Sequence, residues 1–129
     1  MTPKTALEEM IRFDPPLQLF ERWVLADDVA YGGVDFAVGD KLAVLFGSAN
    51  RDPRHFENPD VFDVARGDAS HITFGGGIHT CIGAPLARLE LAVALEQHMR
   101  TVPDLTLVDG PIRKPAFVIH GYESVMVSN

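Results

Sequence analysis

The chain carries a single cysteine, Cys81, so no disulfide can form within it. That excludes a disulfide-stapled scaffold, fits a reducing compartment, and leaves the thiol buried, reactive or a ligand. Long apolar runs are missing too. No stretch offers the roughly 20 apolar residues of a membrane span, and the opening MTPKTALEEMIRF has no signal-peptide apolar core. The sequence therefore predicts a cytoplasmic protein with no membrane attachment. It also lacks basic clusters: with 18 acidic against 11 basic residues and a net charge of −7, nucleic acid is not an expected partner. Internal repeats and low-complexity tracts are absent, which argues for one unit. What is present, 129 residues at 47% hydrophobic, suffices to bury one core.

Thr2 with Pro3 reads as a helix start, and Ala6, Leu7, Met10 and Ile11 follow at helical spacing until Asp14-Pro15-Pro16 stops them. The run VAYGGVDFAVGDKLAVLF has turn signals at Gly32-Gly33 and Gly39-Asp40 and predicts a small antiparallel sheet. From Ser48 to Ser70 neither helical nor strand period is visible, so a long ordered loop is expected. Ordering such a loop costs roughly 1–2 kcal/mol per residue, so something must hold it. From Cys81 to Met99 a helix is predicted with Ile82, Leu86, Leu89, Val93 and Ala92 on one side and Glu90, Glu96 and Gln97 facing water. LTLV, AFVIHG and YESVMVS alternate well enough for two or three closing strands.

Chemistry concentrates in FGGGIHTCIG, Phe74 to Gly83. Gly75, Gly76 and Gly77 ahead of the thiol and Gly83 behind it clear side chains from its surroundings, so a large flat group could approach the backbone. At a helix N-terminus the dipole would favour a thiolate. Several roles fit a cysteine so placed. It could be a buried structural residue. A phosphate loop is disfavoured, because neither G-x-G-x-x-G with its acidic partner nor G-K-[ST] is present. A Cys-His nucleophile pair could use His71 or His79, but no third orienting group is apparent. A zinc site would find at most three ligands in Cys81, His71 and His79. Finally, a single thiolate can be the axial ligand of haem iron.

Phe74-x-x-Gly77-x-x-x-Cys81-x-Gly83, followed by APLARLE, resembles the haem-binding signature of the cytochrome P450 superfamily. His79 and the Ala87-Arg88 pair are similar to its soluble bacterial members. Glu9-Met10-Ile11-Arg12 spells E-x-x-R, with both charges on one helix face; taken alone it would be a surface pair worth ~0.3–0.5 kcal/mol. The resemblance implies more. Cys81 would bind the iron of haem b, with Phe74, Gly75 and Gly83 in cofactor-binding positions. The E-x-x-R helix would lie beneath the haem's proximal side and recruit an arginine from the long loop. NRDPRHFENPDVFDVAR is similar to the family's meander and ends in Phe62-Asp63-x-x-Arg66, which assigns the third partner to Arg66; at the alternative position Val61 stands. Arg22 and His79 resemble propionate ligands, the ordinary alternatives being a strand-edge charge and a backbone-bonded loop histidine. Leu17, Gln18, Val118 and Ile119 fall where family members line the pocket above the haem, or are plain core.

The fold implied is an α+β fragment of the mainly-α cytochrome P450 fold. It comprises the E-x-x-R helix, a small antiparallel sheet, the meander, the cysteine-ligand loop with its following helix, and C-terminal strands. Residues 1–129 would form the C-terminal, proximal haem-binding part of the domain, the distal half being absent, and no catalytic residue is identified in this portion. Family activity is monooxygenation, the insertion of one oxygen atom from O2 into an apolar small molecule, with electrons from a ferredoxin-type or similar partner. The alternative is a non-catalytic haem-binding module or truncated remnant. The isolated chain is expected to be weakly active or inactive, and uncovered apolar surface invites self-association.

Overall fold

The computed structural model describes residues 4–67 and 70–129. Helix α1 spans Lys4–Phe13; the expected Thr2-Pro3 start lies outside the described residues, as do Asp68 and Ala69 of the long loop. Leu7 and Ile11 are buried, whereas Met10 is 43% exposed. The rest of the buried face is Glu8, Glu9 and Arg12, so three of the helix's five buried residues are charged rather than apolar. Asp14 N–H still bonds to Met10 O at 3.3 Å, and the prolines that follow cannot extend the ladder.

Strand β1 (Leu19–Trp23) pairs antiparallel with β4 (Lys41–Leu45), Leu19 opposite Leu45 and Trp23 opposite Lys41. Between them β2 (Val29–Tyr31) and β3 (Val34–Phe36) form their own hairpin. Its turn residues Gly32 and Gly33 have φ of 61° and 80°, the positive values a two-residue turn of this twist requires. One sheet was expected here; two separate pairs form instead. β4 runs into the short helix α2 (Phe46–Ala49), whose Phe46 is buried. The described residues of the segment beyond it form a series of turns without strands, as its composition predicts.

A 3-10 turn at Gly77–His79 leads to Cys81, and helix α3 spans Ala84–Thr101 with Gly83 as N-cap. The expected start at Cys81 is three residues too early. Cys81 N–H bonds back to Phe74 O at 2.8 Å, and its carbonyl accepts from Ala84 N–H at 3.2 Å as a turn does. The cysteine therefore belongs to the loop, outside the first helical turn where the dipole acts strongly. The expected apolar side of α3 is open: Ile82 is 100%, Leu86 59%, Leu89 61% and Val93 52% exposed. Among the described residues α3's nearest helical neighbour is α1, which meets it through charge, and Ala84 is its one buried residue.

At the C-terminal end β5 (Thr106–Leu107) pairs with β8 (Val127–Ser128), and β6 (Ile112–Arg113) pairs with β7 (Tyr122–Ser124). AFVIHG is not a strand. Its backbone groups turn to α1's exit instead: Gln18 N–H donates to Val118 O at 2.9 Å and His120 N–H to Pro16 O at 2.7 Å. Leu17 and Ile119 form an isolated bridge there. Among the described residues no helix is long and apolar enough to cross a membrane.

Candidate functional site

Two buried carboxylates, adjacent on α1, each gather charged partners from distant parts of the chain. Glu9, 1% exposed, receives Arg12 Nε on Oε2 at 2.7 Å and Arg12 Nη2 on Oε1 at 2.8 Å, the bidentate geometry that a planar guanidinium allows. Arg66 Nε reaches the same Oε2 at 3.1 Å, and the backbone N–H of Asp63 donates to Oε1 at 2.9 Å. Both arginines then spend their remaining donors on the loop. Arg12 Nη1 bonds to Asn50 O at 2.7 Å and Pro59 O at 3.0 Å. Arg66 reaches Glu57 O at 2.6 Å and Asn58 O and Val61 O at 3.1 Å. A segment without strand partners has its carbonyls satisfied by two guanidiniums, which accounts for its order.

Burial alone would raise the pKa of Glu9, but the Arg12 hydrogen bonds, the Asp63 N–H and Arg66 outweigh it and hold the carboxyl at about 2, against an ordinary 4.5. Because the folded value is depressed, the stabilisation is present above pH 4.5 and is lost as pH falls towards 2. The drop corresponds to roughly 3 kcal/mol at most. Urea unfolding followed from pH ~5 down to pH ~2.5 should show the midpoint falling steadily, and Glu9→Gln should flatten that dependence. An identical slope in the variant would show that Glu9 does not carry it.

Glu8 is the second carboxylate, and sequence reasoning missed it. Arg88 Nε and Nη2 reach its two oxygens at 2.7 and 3.0 Å, and His71 Nε2 lies 2.9 Å from Oε2. Burial pushes its pKa up, yet the bonds from Arg88 and His71 prevail and leave it below the ordinary value. Thr73 N–H points at His71 Nδ1 at 3.4 Å, which makes Nε2 the protonated nitrogen donating to Glu8. His71 is thus engaged on both ring nitrogens and has none for Cys81. Among the described residues no three His, Cys, Asp or Glu groups gather for a metal, so the zinc arrangement does not form. Asn50, fully buried, was also missed: its Nδ2 donates to Thr73 Oγ1 at 2.7 Å and its Oδ1 accepts Ile72 N–H at 2.9 Å. Thr73 Oγ1 in turn donates to Ile11 O at 2.9 Å. These contacts span more than twenty residues, beyond any local periodicity; the one hint was a second glutamate beside the buried Leu7–Ile11 stripe.

The loop so anchored presents an exposed thiol, which removes the buried structural reading. Cys81 shares a cavity of about 340 Å³ with Leu17, Phe20, Arg22, Phe46, Phe74 and Gly75, a mostly apolar hollow. Gly75 has φ +74°, and a Cβ there would lie 2.9 Å from His79 O. Gly75→Ala should therefore cost roughly 1–3 kcal/mol. Gly76, with open space around it, should accept alanine nearly neutrally. Equal unfolding midpoints for the two variants would contradict this.

The other expected residues are distributed unevenly. Arg22 lines the cavity, its guanidinium 4.4 Å from the Phe20 ring and bonded to Glu21 O. His79 is exposed on the 3-10 turn. Leu17 is in the cavity wall, but Gln18 turns its amide to Pro15 O and lies against Gly47. Val118 and Ile119 are exposed and reach this region through backbone bonds. A lone soft sulfur ligand on the wall of an apolar hollow, with glycines either side, fits a metal whose other ligands come from a flat macrocycle. It fits haem iron and not a protein-only metal cage.

Geometry thus places an exposed thiol beside an apolar hollow with room for a flat group, and the comparisons name the family. The Cytochrome P450 family model matches residues 4–102. The biotin biosynthesis cytochrome P450 of Bacillus subtilis is 40% identical over 125 residues, covering 96% of this chain and 31% of that protein. The steroid C26-monooxygenase of Mycobacterium tuberculosis is 43% identical over 126 residues, covering 95% and 33%. The crystal structure of P450BioI with an acyl carrier protein carrying hexadec-9Z-enoic acid superposes with a TM-score of 0.92 at 39% identity, over 97% of this chain and 32% of that one. This chain belongs to the cytochrome P450 family, whose members bind haem. It spans about a third of the length of these relatives.

Proposed function

We propose that residues 1–129 form the proximal, thiolate-bearing part of a haem monooxygenase. In it Cys81 would hold the haem iron through its sulfur, and the activity of the whole protein would be insertion of one oxygen atom from O2 into an apolar organic substrate. The observation that carries this reading is the exposed Cys81 thiol on the wall of the apolar cavity behind the glycine loop. When bound, haem supplies the redox and O2 chemistry, and a thiolate ligand pushes electron density onto the iron. The chain's own part is to hold and orient. Phe74 O fixes the Cys81 backbone through its N–H, Gly75 lets the loop pass close to His79 O, Gly83 leaves room beside the sulfur, and the Glu9–Arg12–Arg66 cluster fastens the meander. Arg22 on the cavity wall and His79 on the adjoining turn are the propionate partners in this reading. Leu17 and Phe20 offer the substrate an apolar wall, with Gln18, Val118 and Ile119 as further pocket residues on the adjoining backbone.

Electrons would come from a ferredoxin-type donor. A reducing, cytoplasmic setting is supported by the single free cysteine. The open stripe of Ile82, Leu86, Leu89 and Val93 supports self-association. Haemin titration of the purified chain tests the core of the proposal. Saturable uptake of one haem, with a Soret spectrum that changes in Cys81→Ala, is expected. Non-saturable uptake, or a spectrum indifferent to the substitution, would refute it.

A further inference from the structure

Phe74 ties the cysteine loop to the rest of the molecule twice. Its carbonyl accepts the Cys81 N–H at 2.8 Å, and its ring stands against two side chains. The Arg88 guanidinium lies 4.6 Å from the ring centroid, a cation–π distance. The His71 ring lies 6.4 Å away, tilted by 51°. Both of these side chains are tied to one carboxylate, Glu8, which takes two bonds from Arg88 and one from His71. Arg88 comes from α3, just past the cysteine; His71 comes from the strand-less approach to the loop; Glu8 comes from α1. The carboxylate therefore joins the two ends of the loop, before and after the thiol, with the Phe74 ring between them.

We propose that Glu8 is a positioning residue for the axial ligand: through Arg88 and His71 it clamps the Phe74 ring, and through the Phe74 carbonyl it fixes the Cys81 backbone and so the direction of the sulfur. The inference rests on the reading of Cys81 as haem ligand only for its functional meaning; the clamp itself is a property of the haem-free chain. Loss of the carboxylate frees the guanidinium from its fixed plane over the ring, and the loop's closing bond opens more often. The Glu9 cluster, one residue on, bonds directly to the meander and reaches the approach to the cysteine loop only at second hand, through Asn50; among the described residues Glu8 is the carboxylate bonded directly to both sides of the loop.

Hydrogen exchange of individual amides in the full chain separates clamping from general stability. In Glu8→Gln, and in Arg88→Met, where a half-exposed side chain makes folding easier to retain, the Cys81 amide should exchange about tenfold faster. The Val24 amide, bonded to Asp40 O at 2.9 Å in the β1–β4 region, should change less than about twofold. A purely structural role would accelerate both amides together, and that outcome, or no acceleration at Cys81, overturns the clamp. The haem-loaded variants give a second readout: the share of carbon monoxide adduct with the red-shifted, thiolate-type Soret band should fall relative to the parent. If the parent band depends on Cys81 but its share is unchanged in both variants, the clamp is wrong. If the parent band is indifferent to Cys81→Ala, the ligand reading fails, while the amide data still decide the clamp.

Discussion

Glu9→Gln is expected to destabilise the chain by about 2–3 kcal/mol, a large fraction of the stability of a small domain. The substitution is isosteric, so no cavity opens; what changes is charge. Arg12, with no exposed surface, and Arg66, with a side chain 10% exposed, would be left as buried cations sharing a neutral amide. The arginines could relax only by turning away, which would release Asn50 O, Pro59 O and Glu57 O from their donors. An unsatisfied buried carbonyl costs about 1–3 kcal/mol; Asn50 O is in that position, whereas Glu57 O is exposed and would turn to water, so the loop would loosen with the helix. Urea denaturation followed by circular dichroism, with limited proteolysis between residues 50 and 67, measures both effects. An unchanged midpoint and an uncut loop would show that the cluster is not what holds the meander.

Cys81→Ala should do the opposite: leave the fold and remove the chemistry. The cysteine's structural contribution is its backbone N–H to Phe74 O, which alanine retains. Its side chain is exposed, so the change in stability should lie within about 0.5 kcal/mol. Gly83, whose added Cβ would sit 3.8 Å from the sulfur, keeps the same room beside alanine. Thermal melting of the haem-free variant should match the parent, whereas thiolate ligation to bound haem should vanish entirely. A melting point several degrees lower would mean that the sulfur is part of the packing after all.

Which of these features could be seen in the chain before its structure depended on their range. Glu9 and Arg12 are three residues apart, and helix geometry puts them on one face. The spacing of Phe74, Gly77, Cys81 and Gly83 is equally local, and so is the Gly32-Gly33 turn. Arg66 was named through family resemblance, since nothing in its neighbourhood points 57 residues back to Glu9. Contacts that rest on distant pairing stayed hidden: Glu8 with Arg88 is 80 residues apart, and Asn50 with Thr73 is 23. AFVIHG has a strand's alternation but gives its backbone bonds to Gln18 and Pro16, so propensity was overruled by tertiary pairing. The start of α3 was misjudged because a turn closed by Ala84 N–H to Cys81 O looks, in sequence, like a first helical turn. That the apolar residues of α3 stand open is a fact of packing, which periodicity does not contain.

The most direct test of the central claim is the reduced carbon monoxide spectrum of the haem-loaded chain, with Cys81→Ala and Cys81→His recorded beside it. The account predicts a strongly red-shifted Soret band in the parent, the mark of a thiolate opposite the carbon monoxide, and its complete loss in both variants while haem is still bound. A parent spectrum without that band, or one that either variant reproduces, would contradict the assignment of Cys81 as the iron's ligand.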